Sequence, residues 1–216
     1  MKVDFFYNDV VLNLKNRIPN SLPGHEAHSN MLPQHRKPAA DYLESIRNYK
    51  TGCVMSLLFP DIKTGEAKLI LIQRNSHEKD VHADQISFPG GKLEESDATN
   101  LDAALRETYE EIGIASHEIE VLGNLTSLYI PPSNFMVYPF VGTIDKQPNY
   151  QLSIQEVKRV VEVNLSQLAD EKNKHHGNFS TARGSSVEAP YYFVQDVKIW
   201  GATAMMIAEL IELARH

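Results

Sequence analysis

The sequence predicts an α/β domain in which a mixed β-sheet is covered by helices. Three observations carry that prediction: apolar, β-branched runs at 53–59 and 67–73, a helical apolar period over 99–112, and an irregular alternation of strand-like and helical segments after it. The chain is 216 residues long, which suits one elaborated domain, and its 42% hydrophobic and 23% charged residues match a folded globular mix.

Residues 1–40 read as a preface to a main domain over 41–216. Phe6, Val10 and Leu14 are weakly helical in spacing, and Pro19, Pro23, Pro33 and Pro38 then break regular structure, so a short helix and an extended arm are expected. His25 and His28 lack the i,i+4 spacing of a zinc-binding helix and read as solvated loop residues. The runs 53–59 and 67–73 are joined by a Gly-containing loop as a hairpin, and 74–97 form a polar loop. From 99 to 112, Leu101, Ala104, Leu105, Tyr109 and Ile112 mark one helix face, which stops at Gly113. Strands are expected at 120–129, 136–144, 157–163 and 191–194, with 169–188 a flexible loop. Ala204, Ile207, Ala208 and Ile211 give the closing helix, about 201–214, an apolar stripe.

Composition excludes several function classes. Lys and Arg total 21 against 28 Asp and Glu, a net charge of -7, which disfavours a nucleic-acid polymer but not a single nucleotide. Cys53 is the one cysteine, so no internal disulfide forms, and its apolar surroundings suit a buried, unreactive thiol in a reducing compartment. No run approaches the roughly 18 apolar residues of a membrane span, and Asp4, Asn8 and Asp9 interrupt the start; a cytoplasmic protein with no membrane partner is expected.

The informative segment is Phe88-Pro89-Gly90-Gly91, followed by the helix end Arg106-Glu107-Thr108-Tyr109-Glu110-Glu111-Ile112-Gly113-Ile114. Glu107 lies at i,i+3 from Glu110 and i,i+4 from Glu111, so the three acids share nearly one face, each such like-charge pair costing about 0.2–0.5 kcal/mol. They also crowd the negative end of the helix dipole, unfavourable by roughly 0.3–1 kcal/mol per exposed anion. A divalent cation reverses both penalties. With oxygen ligands alone, Mg2+ or Mn2+ suits the site, its shell completed by water and substrate phosphates. Arg106 is placed to hold a carboxylate through a bidentate pair, and Gly90 and Gly91 allow close backbone approach.

This segment resembles the Nudix hydrolase signature, G-x5-E-x7-R-E-U-x-E-E-x-G-U with U aliphatic. Residues 106–114 match its second half, apart from Thr108 at the first aliphatic place. In the first half Asp97 stands for the early Glu, and fourteen residues, not thirteen, separate Gly91 from Arg106. Both departures are similar to the coenzyme A pyrophosphatase branch. Upstream, Leu71-Ile72-Gln73-Arg74-Asn75-Ser76 and the Phe88-Pro89-Gly90-Gly91 turn fall at the spacing of that branch, with His82 and Gln85 resembling its H-x-G-Q, although Asp80 and Asp84 replace its Arg and Gly.

The resemblance implies a Nudix-type α/β/α sandwich and metal-dependent water attack on a pyrophosphate, of coenzyme A or a related nucleoside diphosphate derivative. It implies Glu107, Glu110 and Glu111 as ligands of Mg2+ or Mn2+, Glu111 or Glu156 as general base, Arg106 in the catalytic group, and Arg74, Gly90 and Gly91 against substrate. ADP-ribose, dinucleotides, oxidised nucleotides and a non-catalytic nucleotide-binding module are the alternatives. The 1–40 arm is expected to pack on this domain or across a homodimer, and 169–188 to be disordered or to form a lid containing Arg183.

Overall fold

The structure, a computed structural model, describes residues 5–34, 36–37, 46–75, 85–180 and 186–215. Asp80, His82, Asp84 and Arg183 lie outside the described residues. Strands β1 (Lys50–Pro60) and β2 (Ala67–Arg74) form the expected antiparallel hairpin, with Pro60 opposite Ala67. Its loop is held by Asp61, whose carboxylate accepts the Lys63 and Thr64 N–H groups at 2.8 and 3.2 Å. Within 74–97, where sequence suggested only loop, two short strands form: β3 (Ile86–Ser87) on β2 and β4 (Gly90–Lys92) on β1.

Helix α3 (Asn100–Ile112) has Thr99 as its N-cap. The Thr99 hydroxyl accepts the Asp102 N–H at 3.2 Å and donates to the Asp102 carboxylate at 2.8 Å. The 120–129 run divides into β5 (Glu120–Asn124) and β6 (Leu128–Ile130), both antiparallel to β7 (Phe135–Thr143), and between them the Thr126 N–H turns to the Glu209 carboxylate. β7 runs parallel to β1 and β8 (Val157–Asn164) antiparallel to β2, so the main sheet is mixed.

Alternation along β1 makes two cores. Cys53, Met55, Leu57 and Phe59 pack with Ala103, Ala104 and Ile112 of α3. On the opposite face Leu58, with Leu69 and Leu71 of β2, packs against helices α1 (Tyr7–Arg17) and α5 (Gly201–Ala214). The sheet is thus layered between helices. Cys53 is fully buried, and burial pushes its thiol up to about 11, which keeps it unreactive.

The N-terminal and C-terminal segments depart from expectation. Phe5, not Phe6, enters the core beside Val10 and Leu14. A second helix, α2 (Gly24–Ser29), occupies part of the supposed extended arm. Its His28 is buried, not solvated, since Nε2 lies 2.8 Å from the Glu209 carboxylate of α5. α5 is buried nearly all round instead of along one stripe, because α1, α2 and a second sheet enclose it.

That second sheet replaces most of the supposed loop at 169–188. After α4 (Leu165–Ala169), β9 (Lys174–Ser180), β10 (Ser186–Val194) and β11 (Val197–Trp200) form an antiparallel sheet. β10 and β11 join through Gln195 and Asp196, both at positive φ (50° and 58°), the left-handed pair that a tight two-residue hairpin turn requires. β9 is nearly all polar; its fixed points are Phe179, stacked on Trp200 at 4.4 Å between ring centroids, and cross-strand pairing to β10. Among the described residues no helix is long and apolar enough to cross a membrane.

Candidate functional site

α3 ends at Gly113, whose φ of 77° is the left-handed conformation that glycine tolerates. The last carbonyls of a helix need partners, and a distant loop supplies them here. Gln151 N–H donates to Ile112 O and Ser153 N–H to Glu111 O, both at 3.0 Å. The same loop closes on Glu156, whose N–H donates to Ser153 O at 3.0 Å. Glu156 is thereby brought beside α3: one carboxylate oxygen each from Glu107, Glu111 and Glu156 all lie within 4.8 Å of one another.

The glycines make room for these acids. Gly90 has φ of 148°, and a side chain there would collide with the Cys53 carbonyl; its N–H donates to Glu111 Oε2 at 2.8 Å. A Cβ on Gly91 would fall on the Glu107 carboxylate. Arg74, at the end of β2, places Nη1 3.6 Å from Glu111 Oε1. Glu111 is 1% exposed, and burial pushes its carboxyl up to about 8, with Glu107 and Glu156 adding to the push and the Gly90 N–H and Arg74 opposing it. Burial also raises Glu107.

Arg106 organises the flank. Its Nε and Nη2 grip both oxygens of Asp97 at 2.9 and 3.0 Å, while Nη1 reaches Glu107 at 2.9 Å and Glu110 at 3.0 Å. The fork holds the Asp97 carboxyl below its ordinary value. Arg106, expected in the catalytic group and to hold a carboxylate through a bidentate pair, holds Asp97 in that way and also bonds Glu107. Its bonds to Glu107 and Glu110 relieve part of the like-charge repulsion along α3.

Of the residues expected in the site, Arg74, Gly90, Gly91, Glu107, Glu111 and Glu156 come together. Glu110 does not join the three-carboxylate group; its side chain is 51% exposed and turned to Arg106. Asp97, read from sequence only as a departure from a motif, is the anchor of the fork. The donor set is carboxylate oxygen from three groups, and burial raises two of the carboxyls above their ordinary value. Such a set fits a hard divalent cation, whose positive charge would offset the repulsion among the acids and favour the ionised form of Glu111.

Residues 58–182 match the family model for the NUDIX domain. The chain is 35% identical over 159 residues to the uncharacterised Nudix hydrolase NudL of Citrobacter koseri, covering 72% of this chain and 79% of that one. NudL of Escherichia coli K12 matches with the same identity and coverage. A crystal structure of a MutT/nudix family protein from Enterococcus faecalis superposes with a TM-score of 0.51 at 18% identity, covering 82% of this chain and 69% of that one, and so shares its fold. The carboxylate helix and its glycine turn therefore sit in a chain that belongs to the Nudix hydrolase family, enzymes of pyrophosphate bonds in nucleotide derivatives.

Proposed function

We propose that the protein hydrolyses the pyrophosphate of coenzyme A or a close relative, releasing phosphopantetheine and adenosine 3′,5′-bisphosphate. The carboxylate group at Glu107, Glu111 and Glu156 is the observation that carries the chemistry. Support for the substrate comes from the branch-like spacing of Arg74 to the Phe88-Pro89-Gly90-Gly91 turn, and from Arg74 standing beside Glu111.

Glu107 and Glu111 would hold Mg2+ or Mn2+. When bound, such an ion neutralises phosphate oxygens and lowers the pKa of water. Gly90 fixes the Glu111 carboxylate through its N–H, and Arg106 fixes Glu107. Arg74 offers its guanidinium to the substrate's phosphate oxygens. Glu156 is the exposed member of the three and serves as general base, whereas Glu111 is engaged by Gly90 and Arg74. The water oxygen bonds to one phosphorus as its proton passes to Glu156. The bond from that phosphorus to the bridging oxygen breaks, and the bridging oxygen leaves on the other phosphate.

The test is to incubate purified protein with coenzyme A, dephospho-coenzyme A, ADP-ribose and NADH, with and without Mn2+. Metal-dependent cleavage of coenzyme A is expected. Efficient turnover of ADP-ribose with none of coenzyme A overturns the substrate assignment.

A further inference from the structure

A cavity of about 570 Å3 abuts the carboxylate group, for Gly90 and Arg74, both bound to Glu111, form part of its lining. That size is in the range of pockets that enclose a small organic molecule. Its walls come from far apart in the chain. Phe135 belongs to the main sheet, Trp200 ends β11, and Met206 lies on α5. Pro33, Gln34 and Arg36 form another side, and two of them are fastened: Gln34 N–H donates to Glu188 O of β10 at 2.8 Å, and Arg36 Nη2 to Tyr129 O of β6 at 2.9 Å. Several of these parts, Pro33, Gln34, Arg36, Trp200 and Met206, lie outside the 58–182 family match.

The lining is chiefly apolar. A nucleobase and ribose carry donors and acceptors around their edges, and leaving these unpaired against such a wall is penalised. A long arm with few amides is better matched to it. Trp200 is a rigid wall because Phe179 stacks on it with the rings 12° apart.

We propose that this cavity receives the extended, uncharged arm on one side of the cleaved pyrophosphate, which in coenzyme A is the pantetheine, while the nucleoside stays outside it. Phe135, Trp200, Met206, Pro33 and Gln34 then determine specificity. The assignment rests on the coenzyme A reading above.

Trp200 is the single tryptophan of the chain, so its emission reports on the cavity wall without any metal or turnover. Titration of the full chain with 4′-phosphopantetheine is expected to shift or quench that emission saturably, and adenosine 3′,5′-bisphosphate to leave it unchanged. Ala202, which also lines the cavity, is the site for filling it. Ala202→Phe should abolish the phosphopantetheine response and raise the KM for coenzyme A at least tenfold, while product inhibition by adenosine 3′,5′-bisphosphate persists. Ala202→Leu gives a graded, milder version should the larger side chain impair folding. An emission change with the adenosine bisphosphate alone, or a wild-type KM for coenzyme A in both folded variants, overturns the cavity assignment while leaving coenzyme A as substrate. Wild-type protein that cleaves ADP-ribose but not coenzyme A overturns both.

Discussion

Two buried glutamates on helices, Glu111 and Glu209, have the same side chain and opposite electrostatics. Glu111 on α3 is 1% exposed and Glu209 on α5 is 0% exposed. Burial alone would push Glu209 up, but hydrogen bonds from His28 and Thr126 outweigh it and hold its carboxyl below the ordinary value. The Thr126 hydroxyl is 2.7 Å from Oε1, His28 Nε2 is 2.8 Å from Oε2, and the Gly24 and Thr126 N–H groups also point at it. Glu111 receives one N–H, a 3.6 Å guanidinium and two like-charged neighbours, so its carboxyl rises to about 8. Partner count separates a completed internal clamp from a site built to accept a further cation.

The largest expected effect is on activity. Glu111→Gln keeps an acceptor for the Gly90 N–H but removes the charge, and turnover should fall at least about 100-fold with metal present, measured by product release. Its thermal midpoint should stay close to that of wild type at mildly acidic pH. Glu209→Ala should reverse the pattern, lowering stability by about 3–5 kcal/mol in denaturant unfolding while folded enzyme retains turnover, because His28 and Thr126 are left unpaired in the interior. Equal effects of both variants on turnover would erase the distinction.

pH sharpens it. An unfolded glutamate titrates near about 4.3. Glu209 has a depressed folded value, so its stabilisation is full above that pH and is lost as pH falls through the folded value. The advantage of wild type over Glu209→Gln should therefore narrow on acidification. Glu111 is raised, so its contribution is full at low pH and is lost as pH climbs from about 4.3 toward about 8. Metal-free wild type should lose ground to Glu111→Gln across that window, read as thermal midpoints in chelator. The smallest effect is the metal's own: Mn2+ at 100 times its Kd should add about 2.7 kcal/mol to wild type, and much less to Glu111→Gln.

How much of this was legible follows from the range of the forces involved. α3, its Gly113 stop and the β1–β2 hairpin rest on local periodicity and turn chemistry, and the chain shows them directly. β9 is not legible in the sequence because Lys174-His175-His176-Gly177-Asn178 has no apolar alternation, its strand state coming from pairing with β10. His28 looked solvated because its partner lies 181 residues away. Glu107 and Glu111 could be read from helix spacing, but the exclusion of Glu110 could not: spacing alone treats i,i+3 and i,i+4 alike, and Arg106 takes Glu110 to the exposed side. Glu156 is a candidate in the sequence by resemblance alone; its place beside Glu111 comes from a loop bonded to the end of α3.

That bonded helix end acts as a ruler. Because Gln151 and Ser153 take their positions from the terminal carbonyls of α3, the backbone from which Glu156 reaches toward Glu111 is fixed by main-chain hydrogen bonds. Gly113 is the mark from which it is measured: at φ of 77°, a Cβ there would press on the Cβ and backbone of Gln151. Gly113→Ala should thus displace Glu156 from Glu111 while every carboxylate stays intact, and lengthening the 151–156 loop should do the same with no change in α3.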